Sequence, residues 1–306
     1  MYSADEDNNN TSDVERERYP SKPQSDTANS MVDRIMGAST GSSTNSGEVQ
    51  QITVDTKTLI AQTQDRMWKA LKRRYQYDSN LNPAQTFLLN RINLKISLAI
   101  MYVDLVGSIS MSMTLPIDKL VSIIRAFTYE TSCVIQNHKG YVLKYVGDKV
   151  IAFFPSNYNK LLACDNTIYC AQSMFTVIQN GINPILNQYD YPEVVIKIGI
   201  DEGENVIVQY GHDKRSLIDI LGYCICIAAK ITSITDPNGI TIGEDVYNVI
   251  HPTLKSRFRE LKNRMEDWKY TSTHRTALQT LFNEILVLCL TSRLRHLQNG
   301  CELLMT

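Results

Sequence analysis

Two aspartates at the ends of predicted strands, within residues 97–154, most limit what this chain can fold into. The apolar run 97–103 predicts a strand that leads into Asp104, and a loop containing Gly107 follows. After an amphipathic segment, residues 140–154 have the pattern of a tight hairpin with Asp148 in its turn. Two carboxylates near a glycine loop suit a divalent cation that carries phosphates. The stretch therefore predicts strand, loop, helix and hairpin around such a site.

Composition restricts the class of protein. The chain has 306 residues, of which 43% are hydrophobic, and a formal net charge of −1. That length allows one or two domains with a sizeable core, and the balanced charge gives no overall attraction to nucleic acid. Seven cysteines, mostly in apolar segments, favour free thiols over a disulfide framework. Acidic residues near the start and the short apolar run 285–290 predict neither a leader peptide nor an integral membrane segment, so a cytoplasmic location is expected.

The first 94 residues are predicted to lie outside the core domain. Residues 1–50 are rich in Ser, Thr, Asn and Asp, which predicts a disordered polar tail or a tethered interaction segment. Residues 51–94 form a predicted helical N-terminal extension, in which Leu59, Ile60 and Met67 share one face that polar Thr63 interrupts. This helix either packs on the domain or a second copy, or uses its neighbouring basic residues to bind nucleic acid.

The core domain is predicted over residues 95–260, with a partly helical C-terminal extension over 261–306. The predicted helices span 117–138, 158–180, 222–235 and 276–299. The predicted strands span 96–104, 141–146, 149–154, 194–201, 206–210 and 240–242, with a turn at Gly203. The order βαββαβ is the split βαβ plan of the α+β class, with additions after it.

Four segments resemble motifs of the class III adenylate/guanylate cyclase catalytic domain. Residues 103–108 resemble its Asp-x-x-Gly-Phe-Thr motif, and 140–148 its Gly-x-x-x-Lys-x-x-Gly-Asp hairpin. Residues 198–203 resemble a Gly-Ile-x-x-Gly hairpin, and 219–230 an Asp-x-x-Gly-x-x-Val-Asn-x-Ala-x-Arg segment. The motifs occur in the family's order. The resemblance implies a ferredoxin-like core with extra C-terminal elements.

The resemblance also implies an activity, which is conversion of ATP to 3′,5′-cyclic AMP and pyrophosphate. Two Mg²⁺ or Mn²⁺ ions would act at the interface of a head-to-tail homodimer. Asp104, Asp148 and the backbone carbonyl of Leu105 match the family's metal ligands. The family's phosphate-holding amides correspond here to Gly107, Ser108 and Ile109. The alternative is that both aspartates only satisfy local backbone amides in turns.

The resemblance implies that two further positions recognise the nucleobase of the substrate. Lys144 matches the family lysine that donates to the adenine ring, and Asp219 matches the aspartate that accepts from the adenine amino group. Guanine-using members tend to carry Glu and Cys there, because guanine reverses the donor and acceptor pattern. Otherwise, Lys144 is an exposed strand lysine and Asp219 a helix N-cap.

The departure from the family lies in the third helix, where Cys226 and Lys230 replace the Asn and Arg of active members. Lysine keeps the positive charge but loses the planar fork of arginine, and cysteine cannot copy an amide. The pair predicts weakened catalysis. It also supports a second hypothesis, a degenerate cyclase-like domain that binds ATP or a related nucleotide as a sensor or interaction module. A structural dimerisation domain is the third. By residue type alone, Lys262 and Lys269 are candidates for a further phosphate lysine.

Overall fold

A computed structural model describes residues 55–73, 82–212, 216–261, 268, 270 and 280–284, with residues 71–73 described by backbone alone. The chain divides into two units, Met1–Gln51 and Ile52–Thr306, and every described residue belongs to the second. The prediction for residues 1–50 lies outside the described residues, as do the candidate lysines Lys262 and Lys269.

The helices are α1 (Thr56–Arg73), α2 (Pro83–Leu89), α3 (Ser108–Thr114), α4 (Ile117–Asn137), α5 (Lys160–Val177), α6 (Asn183–Asn187), α7 (Tyr223–Ile234), α8 (Glu244–Val249) and α9 (Pro252–Lys255). A π-helical turn, Ile178–Ile182, joins α5 to α6. The strands are β1 (Lys95–Leu105), β2 (Tyr141–Val146), β3 (Lys149–Pro155), β4 (Ile196–Gln209), β5 (Ile218–Leu221), β6 (Ile240–Gly243), β7 (Phe258–Glu260) and β8 (Leu281–Glu284).

The described strands form one mixed sheet in the order β2-β3-β1-β4-β6-β8-β7, and β5 pairs with β4 beside this path. The first four are antiparallel neighbours, and β6 then pairs parallel to β4. Because α4 connects β1 to β2 and α5 connects β3 to β4, the element order is βαββαβ. The α+β, ferredoxin-like fold with additional C-terminal elements is confirmed.

Strand β1 is central and is covered on both faces. Its side chains alternate, with Met101 and Val103 in the larger core beside α4 and α5, and Leu98 and Ile100 in a second core beside α2 and α7. This explains the nearly continuous apolar sequence, since neither face meets water. Asp104 shares the second face because it is two residues beyond Tyr102.

One prediction about β-structure was wrong, and one alternative is excluded. Residues 194–210 do not form two strands with a turn at Gly203, because β1 pairs with β4 along its whole length and Leu98 lies opposite Gly203. The ladder holds that glycine extended, and the chain turns only after Gln209. Asp219 is not a helix N-cap, because it lies within β5, opposite Val208.

Helical predictions also need correction. Residues 281–284, predicted as part of a helix over 276–299, form β8, which pairs with β6 and β7 and buries Leu281; the remainder of that helix lies outside the described residues. The segment after Gly107 contains the short helix α3 and not only a loop. Of the predicted α1 face, Leu59 and Met67 are buried, and so is polar Thr63, whose hydroxyl donates to Glu130 at 3.0 Å.

Candidate active site

Asp104 and Asp148 line one solvent-open pocket together with residues 105–109. Asp104 lies near the end of β1 and Asp148 in the two-residue turn between β2 and β3. The turns beside both aspartates need backbone conformations that favour glycine, with φ of +77° at Gly107 after Asp104 and +62° at Gly147 before Asp148. Pairing of β1 with β3 thus brings together the two carboxylates that the motifs predicted.

Two lysines that the sequence analysis missed compensate these carboxylates. The Lys149 ammonium donates to Asp104 and lies 4.0 Å from an oxygen of Asp148. The Lys197 ammonium lies 3.7 Å from the other oxygen of Asp104. The available signal was weak: Lys149 adjoins Asp148, and Lys197 interrupts an apolar β4 segment. Both cations line the pocket, where they can also face phosphate.

The donor set fits a hard divalent cation. Two carboxylates and the carbonyl of Leu105 offer only oxygen, which Mg²⁺ and Mn²⁺ prefer over nitrogen or sulfur. In this structure, the ammonium groups of Lys149 and Lys197 supply positive charge beside the carboxylate of Asp104. Among the described residues no cluster of three or more His, Cys, Asp or Glu side chains could hold a metal. Substrate phosphates can supply further oxygen ligands, as is usual for Mg²⁺.

The predicted phosphate-binding segment begins α3. Gly107 precedes the helix, Ser108 and Ile109 are its first residues, and the hydroxyl of Ser108 donates to Asp148. This hydroxyl couples the segment to the hairpin carboxylate, which the family's usual phenylalanine at this position could not do. Ile109 is 75% exposed and lines the pocket together with Ser108.

The predicted base-recognition residues are in contact with each other, because the Lys144 ammonium donates to Asp219. A β-bulge makes this possible. Tyr141 is opposite Phe153, but Lys144 is opposite Ile151, so one extra residue lies between the two pairs. Without the bulge, period-two alternation would put Lys144 on the opposite face from Tyr141.

Strand β5 brings Asp219 to this face. The side chain of Gln85 on α2 donates to the Ile218 carbonyl at 3.0 Å and accepts from the Ile218 amide at 3.1 Å. Asp219 also accepts from the Ile220 amide at 2.9 Å. One carboxylate oxygen thus accepts from backbone and the other from Lys144, while Gln85 of α2 holds the strand that carries Asp219.

Cys226 and Lys230 share the exposed face of α7, whereas Cys224 is buried and donates to the Leu98 carbonyl at 3.7 Å. Burial raises the pKa of the Cys224 thiol well above its usual value, so it stays a packing group. Of the two cysteines on this helix, Cys224 therefore packs in the core and Cys226 does not. Within the described residues neither Cys226 nor Lys230 is hydrogen-bonded or ion-paired to Asp104 or Asp148.

The chain matches the adenylate and guanylate cyclase catalytic domain family over residues 93–269, which is more than half of its length. The protein belongs to this family. It is a class III nucleotidyl cyclase domain, as the four sequence motifs implied.

Known relatives differ in the base they use. The chain is 26% identical over 157 residues to a cytidylate cyclase of Escherichia coli, covering 49% of this chain and 35% of that protein. It is 27% identical over 183 residues to a uridylate cyclase of Burkholderia cepacia, covering 57% and 77% respectively. The chain thus spans about a third of the length of the first relative.

A solved structure supports the fold alone. The adenylyl cyclase CyaB from P. aeruginosa superposes with a TM-score of 0.53 at 17% identity, covering 62% of this chain and 94% of that one. In the part of the chain that the structure describes, no helix is both long and apolar enough to cross a bilayer.

Proposed function

We propose that this protein is a metal-dependent nucleotidyl cyclase whose base site takes a nucleobase with an amino group beside a ring-nitrogen acceptor, and that ATP is its substrate. The observation that carries the proposal is the Lys144–Asp219 pair on the same chain as the Asp104–Asp148 pocket. Lysine can only donate and ionised aspartate can only accept, which matches adenine N1 and the adenine amino group. Guanine and uracil present the reverse pattern and would leave both groups unpaired.

The chemistry follows from what each residue can do. The ribose 3′-hydroxyl gives up its proton to water, its oxygen forms a bond to the α-phosphorus, the bond from that phosphorus to the bridging oxygen breaks, and pyrophosphate leaves. Asp104, Asp148 and the Leu105 carbonyl would hold two divalent ions, which would supply positive charge to the 3′-oxygen and to the leaving pyrophosphate. Lys149 and Lys197 would exchange their aspartate contacts for phosphate oxygens.

CTP is a second candidate, favoured by a specific observation. Cytosine presents its amino group and N3 in the same donor and acceptor order as adenine, so Lys144 and Asp219 admit it equally. The names of the two curated relatives are those of pyrimidine nucleotide cyclases. The contacts of this pair alone do not separate a purine from a pyrimidine with the same edge.

A nucleotide-binding module without turnover is the competing function, favoured by exposed Cys226 and Lys230 on α7. We propose that these residues stand at the ribose and α-phosphate of a site completed by a second copy in a head-to-tail homodimer. A lysine there still supplies charge to the transition state, so reduced turnover is expected, not its loss.

The deciding experiment incubates the purified chain separately with ATP, CTP, GTP and UTP, each with Mg²⁺ and with Mn²⁺, and identifies cyclic products by mass spectrometry. Cyclic AMP is expected, and cyclic CMP as the main product would establish the second candidate. Binding of ATP without any cyclic product would establish the module instead.

Replacing Asp104 tests the metal site. Asp104→Asn keeps the shape of the side chain but removes the charge that a divalent ion needs, so turnover should fall by about 100-fold or more. The matched control is Asp118→Asn, an exposed carboxylate in the first turn of α4, which should leave turnover unchanged. Undiminished turnover in Asp104→Asn would refute the proposed metal role.

A further inference from the structure

Tyr102 lies on the same face of the sheet as Lys144, on the next strand but one. Lys144 on β2 is opposite Ile151 on β3, and Ile151 is opposite Tyr102 on β1. Because neighbouring strands are about 4.8 Å apart, the two backbones are separated by about 10 Å. That separation is within the combined reach of a lysine and a tyrosine side chain, so both can contact one small ring on this face.

The surroundings of Tyr102 link it to the base site. The side chain is half-buried beside β5 and α7. Its neighbours include Cys226 on α7 and Asp219 on β5. A phenol is protonated at neutral pH and can donate a hydrogen bond. Among the described residues its hydroxyl has no hydrogen-bond partner.

Cytosine and adenine differ at the position next to the ring nitrogen that Lys144 would contact. Cytosine carries its 2-carbonyl oxygen there, whereas adenine carries a C–H group that cannot accept a hydrogen bond. A hydrogen-bond donor at that position would stabilise bound cytosine but not bound adenine. Asp219 and Lys144 would then read the two features common to both bases, and a third group would read the difference.

We propose that Tyr102 is this third group, and that its hydroxyl donates to the 2-carbonyl oxygen of cytosine and so raises the use of CTP relative to ATP. The inference rests on the proposed function and deepens its second candidate, CTP, since it assigns a residue of the same site that favours cytosine over adenine. It requires no contact from adenine to the hydroxyl.

The test measures binding without turnover, using 3′-deoxy-CTP and 3′-deoxy-ATP, which lack the attacking hydroxyl. Affinities are measured by calorimetry with Mn²⁺. Tyr102→Phe should weaken 3′-deoxy-CTP binding about tenfold while changing 3′-deoxy-ATP binding less than twofold. The matched control is Tyr141→Phe, which removes a hydroxyl from the same sheet face where the ring stacks on Phe153, and it should change neither affinity.

A chemical variant of the ligand gives an independent measurement that needs no mutant to fold. Replacing the 2-carbonyl oxygen by sulfur, a weaker acceptor, should weaken binding of the 3′-deoxy-CTP analogue to the wild-type chain and have less effect in Tyr102→Phe. Equal losses for both nucleotides in Tyr102→Phe, no loss for either, or no binding of 3′-deoxy-CTP to the wild type would overturn the inference. Binding with the expected selectivity but without cyclic product in the turnover assay would refute only the proposed cyclase function.

Discussion

The carboxylate of Asp104 is held between two ammonium groups, from Lys149 on one neighbouring strand and Lys197 on the other. All three side chains belong to one row across the sheet, since Lys149 and Lys197 are the registered partners of Asp104. Cross-strand pairing therefore neutralises a largely buried charge that would otherwise be costly. The same arrangement supplies two cations that can turn to phosphate when a divalent ion takes the carboxylate.

At the scale of single residues, restoring the family pair on α7 should act on rate more than on binding. Lys230→Arg adds a bidentate donor, and Cys226→Asn adds an amide, where charge develops on the α-phosphate during reaction. The double variant should raise kcat by roughly tenfold, equivalent to about 1.4 kcal/mol of barrier, with a smaller change in KM. Steady-state kinetics with ATP and with CTP provides the measurement.

Controls for this pair lie on the same helix. Ser233→Ala changes an exposed position one turn after Lys230 and should leave kcat unchanged. If the double variant is slower than an active wild type, another residue stabilises the transition state and the proposed alignment of α7 is wrong.

At the scale of elements, the contact between α4 and α5 contains a titratable group. His138 caps the end of α4 and its Nε2 is 3.0 Å from the Ser173 hydroxyl on α5. Burial lowers the pKa of His138 from 6.5 to about 4. The unfolded chain gains this proton as the pH falls through 6.5, whereas the folded chain gains it only near 4. The stabilising contribution of neutral, buried His138 is therefore complete above pH 6.5 and is lost as the pH falls from about 6.5 to about 4.

Because of His138, we expect the free energy of unfolding to fall by roughly 2 kcal/mol when the pH is lowered from 7 to 5. His138→Gln keeps a hydrogen-bonding group but does not titrate, so urea titrations at both pH values should show a smaller loss for the variant. His212→Gln, at an exposed position, should keep the wild-type loss. An equal pH dependence in His138→Gln and the wild type would contradict the assignment.

The docking of α1 depends on a close approach at Gly181 in the π-helical turn. A Cβ at Gly181 would lie 2.9 Å from the Cγ2 of Thr63. Thr63 is fully buried, and its hydroxyl donates a hydrogen bond to Glu130. The Arg66 guanidinium completes this buried group at 2.5 Å from Glu130. Burial raises the pKa of Glu130, and the hydrogen bonds from Arg66 and Thr63 reduce this increase. A polar cluster, not an apolar stripe alone, therefore fixes α1 on the domain.

Gly181→Ala should destabilise the protein by about 1–3 kcal/mol, because overpacking exceeds the roughly 0.4–1 kcal/mol that alanine normally gains over glycine. Thr63→Ser removes the clashing methyl group but keeps the hydroxyl bond to Glu130, so it should recover part of the loss in the Gly181→Ala background. A double-mutant cycle in urea measures this coupling. Additive effects of the two changes would show that the contact is not close.

At the scale of the whole molecule, each chain carries one proposed metal pocket and one proposed base pair. If the two halves serve different sites of a head-to-tail homodimer, one inactive chain can complement another. Mixing Asp148→Ala with Lys144→Ala chains in equal amounts should recover about a quarter of wild-type turnover, since half of the dimers are mixed and each has one intact site. Turnover of the mixture against each variant alone is the measurement.

The control for complementation is a mixture of two chains defective in the same half, Asp148→Ala with Asp104→Ala, which should stay inactive. Mixed dimers are verified with differently tagged chains. No recovery where mixed dimers form would mean that both halves act within one chain, or that the base pair has another role.

The local parts of the fold and site could be predicted from sequence. Asp104 after an apolar run, Asp148 in a two-residue turn and the glycines beside them are specified by neighbouring residues, because strand ends and tight turns depend on local backbone preference. The order of strands and helices in the core followed from periodicity for the same reason.

Tertiary structure alone decided the rest. The bulge before Lys144 turns that residue to the second face, and pairing with β1 keeps Gly203 extended where sequence predicted a turn. Lys149 and Lys197 became partners of Asp104 only through strand register, since residues 45 or more positions apart carry no local signal of contact. Hydrophobic periodicity and turn-forming residues act over a few positions, so they could be recognised in the sequence. Strand register, burial and charge pairing depend on which distant strands pair with each other.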